Sequence, residues 1–139
     1  MLAEFDLVAH VGVADTARAR QFYGDVLGLP VVGEDPFAVT VEVHGRTLRL
    51  TAVGTPVPAP YSVLAWRVDD IAAVVDGLVG RGVEFARYEG LEQDERGIWT
   101  APGGTRVAWF LDPDGNNLSL AQYASAQYSS AQHSSAQHA

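Results

Sequence analysis

Two segments of the chain repeat apolar residues with the spacing of an amphipathic helix. In each segment the apolar positions fall at i, i+3, i+4, i+7 and i+8, which places them on one helical face. Asp15 and Asp70 stand before the two runs, where aspartate is typical of a helix N-cap. Gly28 follows the first run and Gly82 the second, so both helices are predicted to end there. The apolar positions are Ala19, Phe22, Tyr23, Val26 and Leu27 in the first run, and Ile71, Val74, Val75, Leu78 and Val79 in the second.

Segments rich in branched and aromatic residues flank these helices and predict short strands. Two tight turns join neighbouring strands: His44 and Gly45 in the first half, and Asp-Pro-Asp-Gly at residues 112–115 in the second. The predicted strands of the first half are residues 5–13, 29–33, 37–43 and 47–52. Those of the second half are residues 62–68, 83–86, 98–100, 105–111 and 117–120.

The same order of elements recurs in both halves, which indicates an internal duplication. Superposing Asp15 on Asp70 aligns the first strand, the helix cap and the apolar stripe of the two halves. The prediction is an α+β fold of two tandem βαβββ modules, whose cupped mixed β-sheets form an open barrel with the helices outside. We expect the modules at residues 1–53 and 61–122, joined by a proline-rich connector at residues 54–60.

Composition limits the classes of function. A chain of 139 residues that is 47% hydrophobic has material for one core, and its apolar runs are far below the roughly 20 residues of a membrane-spanning helix. The net charge of −8 repels phosphate backbones and argues against nucleic acid as a partner. The absence of cysteine excludes disulfides, and cytoplasmic residence is the expectation. Residues 123–139 repeat Ser, Ala, Gln and His without branched aliphatic side chains and are predicted to be a disordered tail.

Several motifs resemble those of one known superfamily. They are the first helix with its flanks at residues 14–28, the helix cap at residues 68–70 and, above all, Asp-Pro-Asp-Gly-Asn at residues 112–116. With the duplicated βαβββ plan, they look like the vicinal oxygen chelate superfamily, which holds glyoxalase I, extradiol dioxygenases, fosfomycin-resistance enzymes and bleomycin-resistance proteins. The resemblance covers about residues 5–122. Motifs within residues 97–113 further resemble an uncharacterised bacterial branch that is often labelled glyoxalase-like.

The resemblance implies a metal site whose ligand positions this chain does not match. Enzymes of the superfamily hold a divalent metal with one ligand from each of four cup strands, typically His, Gln or Glu. Carried onto this sequence, those positions are Val8, Arg49, Val63 and Ser119. They lack the imidazole or carboxylate that Mg, Mn, Fe or Zn prefers, so we predict no metal and no cofactor. His10, two residues beyond Val8 on the same strand face, becomes a ligand only if the strand register differs by two.

Side-chain alternation along the strands predicts the lining of the cup. We expect a mostly apolar lining with an aromatic plate at Trp109, guanidinium groups at Arg49 and Arg67, and the imidazole of His10. Such a site suits a flat, partly polar organic molecule. The predicted ligand-binding residues are His10, Arg49, Thr51, Arg67, Trp109 and Ser119, and His10 is the candidate catalytic base.

Two functions from different classes stay open. The first is metal-independent binding or sequestration of a small organic molecule, as in bleomycin-resistance proteins. The second is a glyoxalase-like enzyme of lyase, isomerase or dioxygenase type. It is either metal-free, using His10 with Arg49 and Arg67, or metal-dependent if the strand register differs. The predicted partner is a small molecule, with no nucleic acid and no membrane, and the residues leave monomer, homodimer and module-swapped dimer open.

Overall fold

The computed structural model of the protein describes residues 1–124. The predicted tail at residues 123–139 therefore lies outside the described residues, except for its first two positions. Within the described part, no helix is long and apolar enough to cross a membrane.

The first half of the chain forms a four-stranded mixed sheet. The strand order is β1-β4-β3-β2, in which β1 is parallel to β4 and the other neighbours are antiparallel. The tight turn between β3 and β4 is formed by His44 and Gly45, both with positive φ, as a two-residue hairpin requires. After a 3-10 turn at Leu2–Glu4, the elements are β1 (Val8–Val13), α1 (Thr16–Ala19, continued by a wider π-type helix over Arg20–Val26), β2 (Val31–Asp35), β3 (Ala38–Val43) and β4 (Arg46–Ala52).

The second half repeats this plan. Its strand order is β5-β8-β7-β6, again with the first and last strands of the module parallel. The predicted α+β architecture of two βαβββ modules with cupped mixed sheets is confirmed. The elements are β5 (Leu64–Arg67), α2 (Ile71–Val79), β6 (Trp99–Thr100), β7 (Arg106–Leu111) and β8 (Asn117–Gln122).

The prediction of a strand at residues 83–86 is wrong. Phe85 makes only an isolated bridge to Phe110, and the chain next pairs with β7 at Trp99. Between them the chain leaves the sheet in turns at Gly90 and Gly97, both of which have φ +85°. The edge of the second sheet is therefore an interrupted strand with a long loop in its middle.

The first helix also differs from a regular α-helix. Asp15 caps it as expected, because its Oδ1 accepts from the backbone N–H of Ala17 at 2.9 Å and of Arg18 at 3.2 Å. Its second part is wider, and Leu27 N donates to Phe22 O, five residues back. Apolar spacing at i+3 and i+4 does not distinguish the two helix types, so the sequence pattern missed this widening.

One face of each sheet packs against its helix and forms the core. Alternate residues of the inner strands of both sheets are buried there with residues of both helices. The opposite face, called here the inner face, carries mainly polar side chains on the first sheet and both polar and aromatic side chains on the second. Core residues include Val39, Val41, Leu48 and Leu50 of the first sheet, Phe110, Leu118 and Leu120 of the second, and Tyr23, Ile71 and Val75 of the helices.

The turn between β7 and β8 is built around the buried carboxylate of Asp112. Its Oδ1 accepts from the backbone N–H groups of Asp114 and Asn116, both at 2.9 Å. Its Oδ2 accepts from Asn116 Nδ2 at 2.9 Å and from the Tyr23 hydroxyl at 2.7 Å. Tyr23 belongs to the first module, so a buried charge-assisted hydrogen bond joins the two modules.

Three further hydrogen bonds fasten the same turn to the first module. Asn116 Nδ2 donates to Gly12 O at 2.9 Å, at the end of β1. Asp114 Oδ1 accepts from Arg18 at 2.8 Å and from the backbone N–H of Ala14 at 3.3 Å. The turn therefore holds both the end of β1 and the start of α1.

The environment of Tyr23 strongly favours its neutral form. Burial, reinforced by the hydrogen bond to the Asp112 carboxylate and by its charge, raises the pKa of Tyr23. The hydroxyl therefore keeps its proton and donates to Asp112.

We predict that Tyr23→Phe lowers the free energy of unfolding by about 1–3 kcal/mol, because it removes the donor that the first module supplies to a buried carboxylate. Urea denaturation followed by circular dichroism measures this change. Tyr61→Phe is the matched control, since Tyr61 is 66% exposed and should change stability little. Equal stability of the two variants would contradict the role given to Tyr23.

The raised pKa also predicts a dependence on alkaline pH. The unfolded chain releases the Tyr23 proton near pH 10 while the folded chain keeps it, so the stability that this hydroxyl contributes is present below about pH 10 and falls above it. Denaturation midpoints measured from pH 8 to pH 11 should decline more steeply for the native protein than for Tyr23→Phe. Parallel curves would show that the folded-state pKa is not raised.

Candidate functional site

The predicted ligand-binding residues of the first module lie together on the inner face of its sheet. His10 pairs with Arg49 across β1 and β4, and Gly12 pairs with Thr51. Because alternate residues share a face, His10, Arg49 and Thr51 point to the same side. His10 Nδ1 lies 3.3 Å from Thr51 Oγ1, and the imidazole is exposed. The structure therefore places an accessible imidazole beside a hydroxyl and a guanidinium-bearing strand.

Arg49 is engaged by its own sheet. Its guanidinium donates to Thr40 Oγ1 at 3.3 Å and lies 3.5 Å from Asp35 Oδ2. The backbone N–H of Phe37, with smaller contributions from that of Ala38 and from Arg49, lowers the pKa of Asp35 below its usual range. Asp35 is therefore an anion beside Arg49, and it offsets the charge that Arg49 would offer to an anionic ligand.

The predicted residues of the second module also share one inner face. Ser119 pairs with Ala65 on β5 and with Trp109 on β7, and Arg67 pairs with Ala121 two residues further along. Arg67 lies 3.8 Å from the carboxylate of Asp69. Both predicted guanidinium groups thus have a carboxylate close by.

The hydrogen of the Ser119 hydroxyl can be assigned from its neighbours. Ser62 Oγ donates its one hydrogen to Leu64 O at 2.9 Å. The 2.8 Å bond between Ser62 Oγ and Ser119 Oγ must therefore use the hydrogen of Ser119. Ser119 Oγ is left with lone pairs only, so towards a ligand it is an acceptor.

Three aromatic rings stand together on the inner face of the second sheet and are called here the aromatic wall. Trp109 lies between Tyr88, edge-on at 5.5 Å between ring centroids, and Trp99, tilted at 6.2 Å. Asn117 Nδ2 donates to the Tyr88 hydroxyl at 3.2 Å, while Asn117 Oδ1 is buried with no partner among the described residues. Trp109 is thus one part of a larger aromatic surface.

Sequence reasoning missed Tyr88 and Trp99. Trp99 is in a predicted strand, and its alternation with Ile98, a core residue, could have placed it on the inner face. Tyr88 is in the charged loop, where no periodicity applies. The loop is held by Gln93, which donates to Ala86 O and Gly97 O and accepts from the backbone N–H of Tyr88 at 2.8 Å. These contacts fix the backbone that carries Tyr88.

The metal of the resembling enzymes does not fit the residues at the four corresponding positions. Val8 and Val63 are aliphatic, Arg49 is cationic and paired with Asp35, and Ser119 offers only a neutral hydroxyl in place of an imidazole or carboxylate. Within residues 1–124, no group of three or more His, Asp or Glu side chains converges on one point. His10 has Thr51 as its polar neighbour rather than a second imidazole or a carboxylate.

Comparison with known proteins agrees with the fold. The family model described as "Glyoxalase/Bleomycin resistance protein/Dioxygenase superfamily" matches residues 5–120. No protein of curated function matches the chain significantly.

Solved structures resemble the chain over most of its length. A superfamily member from Sphaerobacter thermophilus is 28% identical with a TM-score of 0.67, and the match covers 86% of this chain and 97% of that one. A glyoxalase/bleomycin resistance protein from Catenulispora acidiphila is 25% identical with a TM-score of 0.65, covering 86% and 99%. A lactoylglutathione lyase from Agrobacterium tumefaciens, 21% identical with a TM-score of 0.62 over 85% and 92%, is similar in fold.

We predict that the cup binds no divalent metal stoichiometrically, because its corresponding positions offer no set of imidazole and carboxylate donors. Calorimetric titration with Mn²⁺ and with Zn²⁺ measures this. A His133→Ala/His138→Ala variant is the control that separates binding by the tail histidines from binding at the cup. Stoichiometric binding that survives in this control and is lost in His10→Ala would overturn the prediction.

Proposed function

We propose that this chain, which belongs to the glyoxalase/bleomycin resistance protein/dioxygenase superfamily, binds a small organic molecule on the inner faces of its sheets without a metal. The proposed activity is binding or sequestration of that molecule, as in bleomycin-resistance proteins. The aromatic wall is the observation that carries this proposal, because a cluster of partly exposed aromatic rings gives flat organic groups a surface on which to pack.

The distribution of polar groups supports the same proposal. The inner faces combine polar groups, among them His10, Thr51 and Ser119, with the aromatic rings of Trp99 and Trp109. Binding sites for small molecules commonly have this composition, in which apolar contact supplies affinity and a few polar atoms fix orientation. The ligand-binding residues of the proposal are those predicted from the sequence, together with Tyr88 and Trp99.

A metal-free glyoxalase-like enzyme is the second candidate. The exposed imidazole of His10 favours it, since its neighbour Thr51 orients the ring and an imidazole can act as a general base. Arg49 and Arg67, the other groups of this candidate, each have a carboxylate within 4 Å, which weakens their hold on a developing anion. We therefore favour binding over catalysis.

A homodimer and a cytoplasmic location are part of the proposal. Phe5 and Leu7, which precede β1, are 65% and 84% exposed, and large exposed apolar side chains mark interaction surfaces. The lack of cysteine is compatible with a reducing compartment. Sedimentation of the native protein, compared with a Leu7→Ser variant, tests the dimer.

Tryptophan fluorescence tests the binding proposal. Aromatic metabolites and antibiotics are titrated into the protein, and a ligand on the inner face should quench Trp99 and Trp109. Quenching should disappear in Trp99→Phe/Trp109→Phe. It should persist in Trp66→Phe, because Trp66 lies on the other face of the sheet and stacks on Phe110. Quenching that follows Trp66 instead would contradict an inner-face site.

The same ligands separate binding from catalysis. Each compound that binds is incubated with the native protein and with His10→Ala, and products are followed by mass spectrometry. Binding without turnover is the expected result. Turnover that depends on His10, with binding retained in the variant, would establish the enzyme candidate.

A further inference from the structure

We propose that the inner face of the second sheet selects planar organic cations that carry N–H donors, in preference to anions of the same shape. This inference rests on the proposed function and gives that site a ligand class. It combines the shape of the surface, the direction of its hydrogen bonds and the charges around it.

The shape of this surface comes from a change in side-chain size between neighbouring strands of the second sheet. The edge strand β5 and its neighbour β8 present small side chains, Ala65, Ser119 and Ala121, called here the floor. The next strands in the sheet, β7 and the edge strand β6, present the large rings of Trp109 and Trp99 at the levels of Ser119 and Ala121. A flat group can lie over the floor with its ring against the aromatic wall, which a uniform row of large side chains would prevent.

The direction of the hydrogen bonds sets the polarity of the ligand. The Ser119 hydroxyl donates its hydrogen to Ser62, so towards a ligand its Oγ can only accept a hydrogen bond. Asn117 Nδ2 donates a hydrogen bond to the Tyr88 hydroxyl, and the buried Asn117 Oδ1 has no partner among the described residues. An unpaired buried carbonyl oxygen costs free energy that an incoming donor recovers. A ligand that brings N–H groups therefore matches these atoms better than one that brings only acceptors.

The surrounding charges favour a cation. The faces of Trp99 and Trp109 carry the negative part of the ring quadrupole and attract ammonium groups. Arg67, the cationic side chain on this face, lies 3.8 Å from Asp69. The loop that carries Tyr88, residues 87–97, bears four carboxylates against the two guanidinium groups of Arg87 and Arg96, and the whole chain has a net charge of −8. A cation is thus attracted both at long range and at contact.

Three probes with one ring system and different charges test the inference. They are 1-naphthylmethylamine (a cation at pH 7), 1-naphthylmethanol (neutral) and 1-naphthoate (an anion), each titrated calorimetrically into the full-length protein. We expect the amine to bind about tenfold more tightly than the naphthoate, with the alcohol between them. Raising the salt concentration should narrow the difference, because screening weakens the long-range part.

Substitutions on the proposed surface, and one control substitution away from it, show where the probes bind. Trp99→Leu, in a two-residue edge strand, should weaken all three probes about tenfold, because it removes part of the wall. Ser119→Ala should weaken the amine and the alcohol several-fold and leave the naphthoate unchanged, since it removes an acceptor only. Phe37→Ala is the control for unspecific contact with an exposed ring, as Phe37 is 72% exposed on the first module.

The outcomes separate the two proposals. Binding of the naphthoate as tight as, or tighter than, that of the amine would overturn the ligand class while leaving a small-molecule site in place. The ligand class is overturned in the same way if Ser119→Ala weakens all three probes equally. If none of the three binds, or if Phe37→Ala abolishes binding, the small-molecule site itself is contradicted and the ligand class falls with it.

Discussion

A buried carboxylate with four hydrogen-bond donors holds the two modules of this protein in register. Burying a carboxylate is costly unless its lone pairs are satisfied, and Asp112 meets that condition only when the first module is present, because one of its donors is the Tyr23 hydroxyl. Asn116 links the same group to the end of β1. The position of each sheet relative to the other, and so of the two inner faces, depends on this contact.

Much of the fold follows from short-range information. Asp15 and Asp70 cap their helices as the sequence predicts, since an N-cap is decided by a side chain and the amides two or three residues later. The strands follow from alternation between buried and open faces. The prediction of a strand at residues 83–86 was wrong. A short apolar run cannot show that turns at Gly90 and Gly97 direct the following residues away from β7.

The sequence pattern could not predict the contacts between residues that are distant in the chain. The Asp-Pro-Asp-Gly-Asn turn was recognisable, but its partner Tyr23 lies 89 residues away and reads as one more member of an apolar stripe. Alternation placed His10, Arg49, Thr51, Trp109 and Ser119 on one type of surface. It could not identify Asp35 as the carboxylate beside Arg49, or Ser62 as the acceptor of the Ser119 hydrogen bond. The chemistry of the site depends on these neighbours, whose separation in the chain hides them.

The interrupted edge of the second sheet has an evolutionary consequence. Tyr88 stands on a loop whose backbone is held by Gln93, while the hairpin that fastens the modules lies elsewhere. Substitutions or insertions in this loop can therefore reshape one side of the ligand surface without disturbing Asp112 or the packing beneath the sheet. A scaffold with this separation can acquire new ligands by drift in one segment, while selection for folding acts on the rest.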